Sequence, residues 1–220
     1  LPRVHTPEWK TRAPRDLGAG WDFDDVRDHY VHLLYGVDPV ALRSSDHERY
    51  LALGRMATGE VMERTFAEWR RARSQCRGAL IWFLRDLWPG AGWGIVDAGG
   101  APKAAWYALR RALAPVALAF TDEGVNGLAL HVTNDRPTPL AGRLELTLWR
   151  AGETEVGRAS TDVTVAPHGA LELAAASLFD TWLDLSWAYK FGPPVAQLIH
   201  ARLVTADGER DAFWFPAGLP

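Results

Sequence analysis

Trp82, Arg85, Asp86, Trp88 and Trp93 fall within one short stretch, and their side chains suit one kind of ligand. Tryptophan rings offer flat apolar faces on which the C–H face of a sugar can pack, while a carboxylate and a guanidinium pair with its hydroxyls. The stretch therefore points to carbohydrate. Each side chain also has a plainer reading. Trp82 either lines a sugar subsite or fills the interior of the fold. Asp86 either accepts a hydrogen bond from a sugar hydroxyl or only holds Arg85 or a loop amide. Trp88 and Trp93 either shape a pocket rim or anchor the loop.

The elements around these residues explain why they should meet. Gly78-Ala79-Leu80-Ile81-Trp82-Phe83-Leu84 is an apolar run rich enough to be a strand buried on both faces, and it stops abruptly at Arg85-Asp86. A glycine-rich loop follows. Then Ala101-Pro102-Lys103-Ala104-Ala105-Trp106-Tyr107-Ala108-Leu109-Arg110-Arg111 reads as an amphipathic helix with proline near its first turn. Buried strand, polar loop and helix form one unit of a (β/α) barrel, whose chemistry sits where strands end.

The same residues carry a family resemblance. Gly-Ala-Leu-Ile-Trp82-x-Leu-x-Asp86-x-Trp88-Pro, then Asp97, Pro102-Lys103 and Tyr107-Ala108-Leu109-Arg110-Arg111, resembles the last barrel strand and helix of β-mannosidases of glycoside hydrolase family 2. The likeness continues through Ala114-Pro115-Val116, Thr121-Asp122-Glu123-Gly124-Val125-Asn126-Gly127-Leu128 and Val132-Thr133-Asn134-Asp135. The family commonly has Asn where this chain has Arg85. The resemblance implies that Trp82 lines the sugar subsite; Arg85, Asp86 and Trp88 beside it are the further candidate substrate contacts. It also implies a retaining double displacement on a β-mannoside or related oligosaccharide, without metal or organic cofactor. That chemistry needs two carboxyl groups roughly 5–5.5 Å apart. In the family both are glutamates on earlier barrel strands, one after an Asn and one in a Glu-Phe-Gly setting. Neither pattern occurs here. Glu8 follows loop breakers, Glu48 caps a helix, and Glu60, Glu63 and Glu68 lie on a helix. The catalytic pair is therefore expected upstream of Leu1, and the chain, which opens without Met, reads as an excised or processed piece whose partner is the rest of the barrel.

Length and composition fit two domains. A chain of 220 residues can hold two cores, and a net charge of −3 gives no basic field for nucleic acid or an anionic membrane. One cysteine, Cys76, rules out an intrachain disulfide and fits a reducing, cytoplasmic compartment. Prolines and glycines make residues 1–20 an irregular surface segment. A helix is expected from about Asp24 to Gly36, its N-terminus favoured by Asp22, Asp24 and Asp25. A second should open on a capping box at Ser45-Asp46-His47-Glu48 and run to about 71–74, with Tyr50, Leu53, Ala57, Val61, Phe66 and Trp69 on one face. His29 and His32 beside Asp25 and Asp28 lack a third clear metal ligand and read as a solvated helix face. Arg70-Arg71-Ala72-Arg73 complements the helix dipole. Gly90-Ala91-Gly92-Trp93-Gly94 lacks the lysine and the placement of a phosphate loop.

After Pro115 the pattern changes to period two. Leu128, Leu130 and Val132 alternate, as do Leu144, Leu146 and Leu148, then Val163 and Val165. Asn134-Asp135-Arg136-Pro137, Ala151-Gly152 and Pro167-His168-Gly169 supply turns, and Ala206-Asp207-Gly208-Glu209 marks a hairpin. The expected fold class is thus α/β plus all-β: residues 1–114 as the tail of a (β/α)8 TIM barrel, and residues 115–220 as an antiparallel immunoglobulin-like β-sandwich. A rival reading makes the chain a non-catalytic carbohydrate-binding or structural module, with Trp149, Trp182, Trp187 and Trp214 as candidate platforms.

Overall fold

The computed structural model describes residues 23–76, 78–90 and 92–220. The irregular segment read at residues 1–20, with Glu8, and the acidic Asp22 lie outside the described residues. The chain divides into two compact units, one holding residues 23–63 and 78–110 and the other residues 64–76 and 111–219.

The first unit is helical. Helix α1 (Phe23–Tyr35) opens with Asp24 and Asp25 in its first turn and closes at Gly36, whose N–H donates to His32 O and whose φ of +65° suits glycine. Helix α2 (Pro39–Ser45) was not expected; Asp38 caps it by accepting from the N–H groups of Val40 and Ala41 at 2.9 and 3.2 Å. Helix α3 (His47–Arg70) begins one residue later than the Ser45 capping box implies. Ser45 still belongs to α2, where its hydroxyl donates to Ala41 O, so Asp46 becomes the cap and accepts from Arg49 N at 3.0 Å.

The buried positions of α3 are Tyr50, Gly54, Ala57 and Gly59. Of the expected face, Tyr50 and Ala57 are buried, Leu53, Val61 and Phe66 are half-buried, and Trp69 is exposed. The Tyr50 hydroxyl donates to Asp28 at 2.6 Å, and Arg27 lies over its ring 5.0 Å from the centroid. Burial, reinforced by the Asp28 carboxylate, pushes the Tyr50 hydroxyl up to about 12. His29 and His32 stand exposed on α1, and His32 Nδ1 bonds Val37 O. Helix α4 (Ala104–Ala112) buries Ala105, Ala108 and Leu109; it starts two residues after Pro102, so the proline precedes the helix instead of sitting in its first turn.

One expectation fails outright. Residues 79–84 form no strand, and Leu80, Trp82 and Leu84 are 100, 75 and 62% exposed. A run that reads as buried on both faces needs neighbouring strands to bury it, and the described residues supply none there. Among the described residues, a parallel bridge forms just beyond its end, between Arg85 and Val96.

The second unit is a sandwich. A three-stranded sheet has the order β1 (Val116–Asp122), β2 (Leu128–Asn134), β5 (Gly169–Ala174). A four-stranded sheet runs β4 (Thr154–Val165), β3 (Leu140–Arg150), β6 (Leu198–Thr205), β7 (Gly208–Trp214), and every pairing is antiparallel. Leu130, Val132, Leu144, Leu146, Leu148, Val163, Val165, Ile199 and Leu203 make the core between the sheets. The period-two reading of β3 is met residue by residue. Ala151 and Gly152, with φ of +53° and +72°, open the three-residue turn that joins Arg150 to Thr154, and Thr205 pairs with Gly208 across the expected hairpin. Strand β2 differs from expectation because all seven of its residues are buried, not alternate ones.

The basic end of α3 does more than complement a dipole. Arg70 binds the carbonyls of Ala112 and Ala114 and pairs with Asp135 at 2.7 Å, and Arg71 pairs with Glu123. Glu123 starts a buried relay. Its carboxylate accepts from the Thr121 hydroxyl at 2.6 Å, and that hydroxyl lies 2.7 Å from His131 Nε2. A carboxylate only accepts, so Thr121 gives its single proton to Glu123 and must accept from His131 Nε2–H. Nε2 thus carries a proton, and Nδ1 is buried without a partner among the described residues, where a second proton would find no acceptor. Burial holds the His131 pKa below its usual 6.5, and the Thr121 hydrogen bond, aided by Arg71, holds the Glu123 carboxyl below its usual 4.5.

Both shifts make the sandwich acid-sensitive. Unfolded His131 takes a proton near pH 6.5 while the folded one resists, so its contribution is complete above that pH and lost as pH falls below it. Glu123 adds a second loss below pH 4.5. Thermal denaturation from about pH 8 to about pH 4 is expected to show a melting midpoint that declines from about pH 6.5 downward, and His131→Gln is expected to remove the upper part of that decline. A flat midpoint across that range would contradict the neutral buried imidazole.

Candidate functional site

The chain after Trp82 closes into a small knot. Val96 N donates to Leu84 O at 2.9 Å and Asp86 N donates to Val96 O at 3.0 Å, which lays residues 84–86 beside residues 95–97. Val96 bridges Pro102 on its other side, and Lys103 N donates to Ile95 O at 2.9 Å. The loop between carries Trp88 and Trp93.

Asp86 sits at the centre of this knot, and it is the buried one of the four expected contacts. Its Oδ1 accepts from Gly94 N at 2.8 Å, and its Oδ2 pairs with the Lys103 ammonium, which also reaches Gly92 O at 3.2 Å. The glycines explain themselves here. A Cβ on Gly92 would lie 2.3 Å from Asp86 Oδ1, and one on Gly94 would lie 2.5 Å from Asp86 N, so only glycine lets the loop wrap the carboxylate so closely. Of the two readings of Asp86, the geometry is that of a loop anchor. In sequence Lys103 stands out only as part of the Pro102-Lys103 motif. The spacing of Gly90, Gly92 and Gly94 was the signal for a close-wrapped side chain.

Arg85 is exposed, and its guanidinium donates to Ala98 O at 2.6 Å. Trp88 and Trp93 are exposed, and Trp82 stands edge-on to Phe83 with ring centroids 6.2 Å apart. The stretch therefore brings Asp86 and Lys103 together beneath a loop that leaves Trp82, Trp88 and Arg85 open to solvent. No group of three or more His, Cys, Asp and Glu side chains that could hold a metal occurs among the described residues. No helix among them is long and apolar enough to cross a membrane.

The rival platforms are distributed differently. Trp149 is half-buried on the outer side of β3, and Trp214 is half-buried with Arg64 over its ring at 5.8 Å. Trp182 is exposed and Trp187 half-buried, both in the loop that leads to β6. Tyr189 and Phe191, which share that loop, were missed because neither strand nor helix periodicity marks it.

Comparison with known proteins now places the chain. Residues 126–216 match the model of the Mannosidase Ig/CBM-like domain, a span that takes in β2 to β7. The chain is 30% identical over 195 residues to β-mannosidase B of Aspergillus niger, a match covering 78% of this chain and 22% of that protein. It is 39% identical over 83 residues to β-mannosidase B of Aspergillus terreus, covering 36% of this chain and 10% of the relative. Among solved structures, the β-D-mannosidase of Dictyoglomus thermophilum superposes with a TM-score of 0.61 at 18% identity, over 78% of this chain and 20% of that one. The exo-β-D-glucosaminidase CsxA gives 0.65 at 16% identity, over 94% and 24%. At such identities these two structures speak for the fold alone. The chain is similar to a part of the β-mannosidase-like proteins of glycoside hydrolase family 2, and residues 126–216 match their Mannosidase Ig/CBM-like domain. It spans about a fifth of the length of the curated relatives it matches.

Proposed function

We propose that this chain is the C-terminal portion of a retaining glycoside hydrolase that cleaves terminal β-mannosides or a related β-glycoside. In this reading residues 1–114 end its (β/α)8 barrel and residues 115–220 are an accessory sandwich. The observation that carries it is the stretch around Trp82. An apolar run that behaves as a barrel strand in sequence lies uncovered at Leu80, Trp82 and Leu84, and it ends in a knot tied by Asp86 and Lys103. The rest of the barrel would cover that run as its neighbouring strands. Similarity to β-mannosidase B over 78% of the chain supports the same reading.

This reading gives each residue of the stretch a role. Trp82 gives the sugar ring an aromatic face, Trp88 and Arg85 border it, and Asp86 acts through the loop it holds. The nucleophile and the acid/base are glutamates of the remaining barrel. A β-mannoside and the remaining barrel are thus the two partners.

The test uses a polypeptide that joins this chain to the rest of the barrel, given p-nitrophenyl β-glycosides of mannose, glucose, galactose and glucosamine. The mannoside is expected to be the best substrate, and proton NMR is expected to show β-mannose as the first-formed product, since two displacements retain configuration. First-formed α-mannose would contradict the retaining mechanism, and preference for another glycoside would move the substrate.

A further inference from the structure

Residues 179–197 are an irregular stretch of the sandwich whose backbone is nonetheless tightly fastened. The Asp184 carboxylate accepts from Ala188 N at 3.0 Å and Tyr189 N at 2.9 Å, and the Ser186 hydroxyl lies between Gly124 O at 3.3 Å and Asp184 Oδ1 at 3.4 Å. Trp187 Nε1 donates to Gly192 O at 2.8 Å, the Tyr189 hydroxyl donates to Val125 O at 3.1 Å, and Leu185 is buried beneath. Trp187 and Lys190 hold φ of +57° and +53°, a conformation that residues with a Cβ keep only where their surroundings impose it.

What the fastened loop displays is aromatic. Tyr189 and Phe191 stack with centroids 5.7 Å apart, and Trp182 meets Tyr189 at the same separation with its plane turned by 67°. Phe191, Trp182 and Tyr189 are 83, 66 and 43% exposed. Trp182, Asp184, Trp187, Phe191 and Pro193 line a shallow concavity, and the Lys190 ammonium lies 5.4 Å from the Trp187 ring centroid.

We propose that this loop is a binding subsite for a neutral oligosaccharide, a β-linked hexose chain, on the sandwich itself. Pyranose C–H faces pack on open ring faces. An ionised carboxylate has about four acceptor positions, and two backbone N–H groups occupy Asp184, which leaves acceptor capacity for a sugar hydroxyl. Lys190 supplies donors at the rim. The backbone beneath the rings is fastened before the ligand arrives, so binding costs little main-chain entropy. Size argues against a protein partner. Aromatic side chains bury about 150–250 Å² each, so three rings at these exposures offer about 400 Å², half of the roughly 800 Å² each partner gives to a stable interface.

The choice of a sugar rests on the β-mannosidase-like reading above, and the loop falls within the matched residues 126–216. The test keeps the two apart because it involves no hydrolysis. The 220-residue chain is run in native gels containing soluble β-1,4-mannan and titrated with mannohexaose, cellohexaose and chitohexaose, tryptophan fluorescence being the readout. Retardation and quenching by at least one of these glycans are expected. Trp182→Ala and Phe191→Ala are each expected to weaken binding tenfold or more without changing the melting midpoint, since both rings stand in solvent. Phe213→Ala, on the face of β7, should bind as the parent does. Absence of binding to all three oligosaccharides, or undiminished binding by both variants, would overturn the subsite. So would a dimer in sedimentation that Phe191→Ser dissociates. Binding in a protein whose completed form cleaves no β-glycoside would keep the subsite and sink the enzyme reading.

Discussion

Trp82→Ala, made in a polypeptide that joins this chain to the rest of its barrel, is expected to lower turnover of an aryl β-mannoside by about one to three decades, through lost orientation of a distorted sugar ring. The fold should survive, because the loop after Trp82 is held by Asp86 and Lys103 and not by the tryptophan ring. Steady-state kinetics beside a thermal melt separates the two effects. Unchanged kinetics would reduce Trp82 to filler of the barrel interior. Asp86→Asn makes an informative companion. It keeps an acceptor for Gly94 N but loses the pair with Lys103, so it should loosen the loop more than it alters sugar contacts.

The largest expected effect on stability lies in the other unit. Leu146→Ala should destabilise the sandwich by about 2–5 kcal/mol, since the side chain is fully buried between two sheets that cannot collapse onto the cavity. For a domain of this size the melting midpoint should fall by roughly ten to twenty degrees. Leu148→Ala should behave alike, whereas Glu145→Ala, on the opposite face of the same strand, should change little. A loss below about 1 kcal/mol for Leu146→Ala would mean that the two sheets do not share a core.

How much of this was legible depends on how local each signal is. Leu144, Leu146 and Leu148 announce β3 because alternate side chains face the opposite sheet, and Ala151-Gly152 announces its turn because only certain residues adopt positive φ there. Strand β1 was hidden, since Val116 to Phe120 reads as the end of an apolar run broken by Pro115. Helix α2 was hidden because its seven residues carry no apolar period, and its only cues are the cap, Asp38, and the proline that follows it at the first helical position. Residues 79–84 misled for a physical reason: composition states what a segment needs in order to be buried, while the neighbours that bury it are a separate matter. In the candidate site the loop around Asp86 could be located from sequence, but its tie to Lys103 could not. That pair joins residues seventeen apart, and only the fold sets their distance. The aromatic loop at Trp182, Tyr189 and Phe191 is illegible for the same reason, since its order comes from Asp184 and Val125 and not from periodicity.

The central claim is that this chain supplies a barrel strand and a sandwich to a β-mannosidase whose catalytic carboxylates lie on other strands. The measurement that tests it most directly compares hydrolysis of p-nitrophenyl β-D-mannoside by the 220-residue chain alone and by a polypeptide that joins it to the rest of the barrel. The account predicts no turnover by the chain alone, with a sandwich that resists limited proteolysis, and turnover once the barrel is complete. Turnover of the mannoside by the isolated chain would contradict it, because the catalytic carboxylates would then have to be among its own residues.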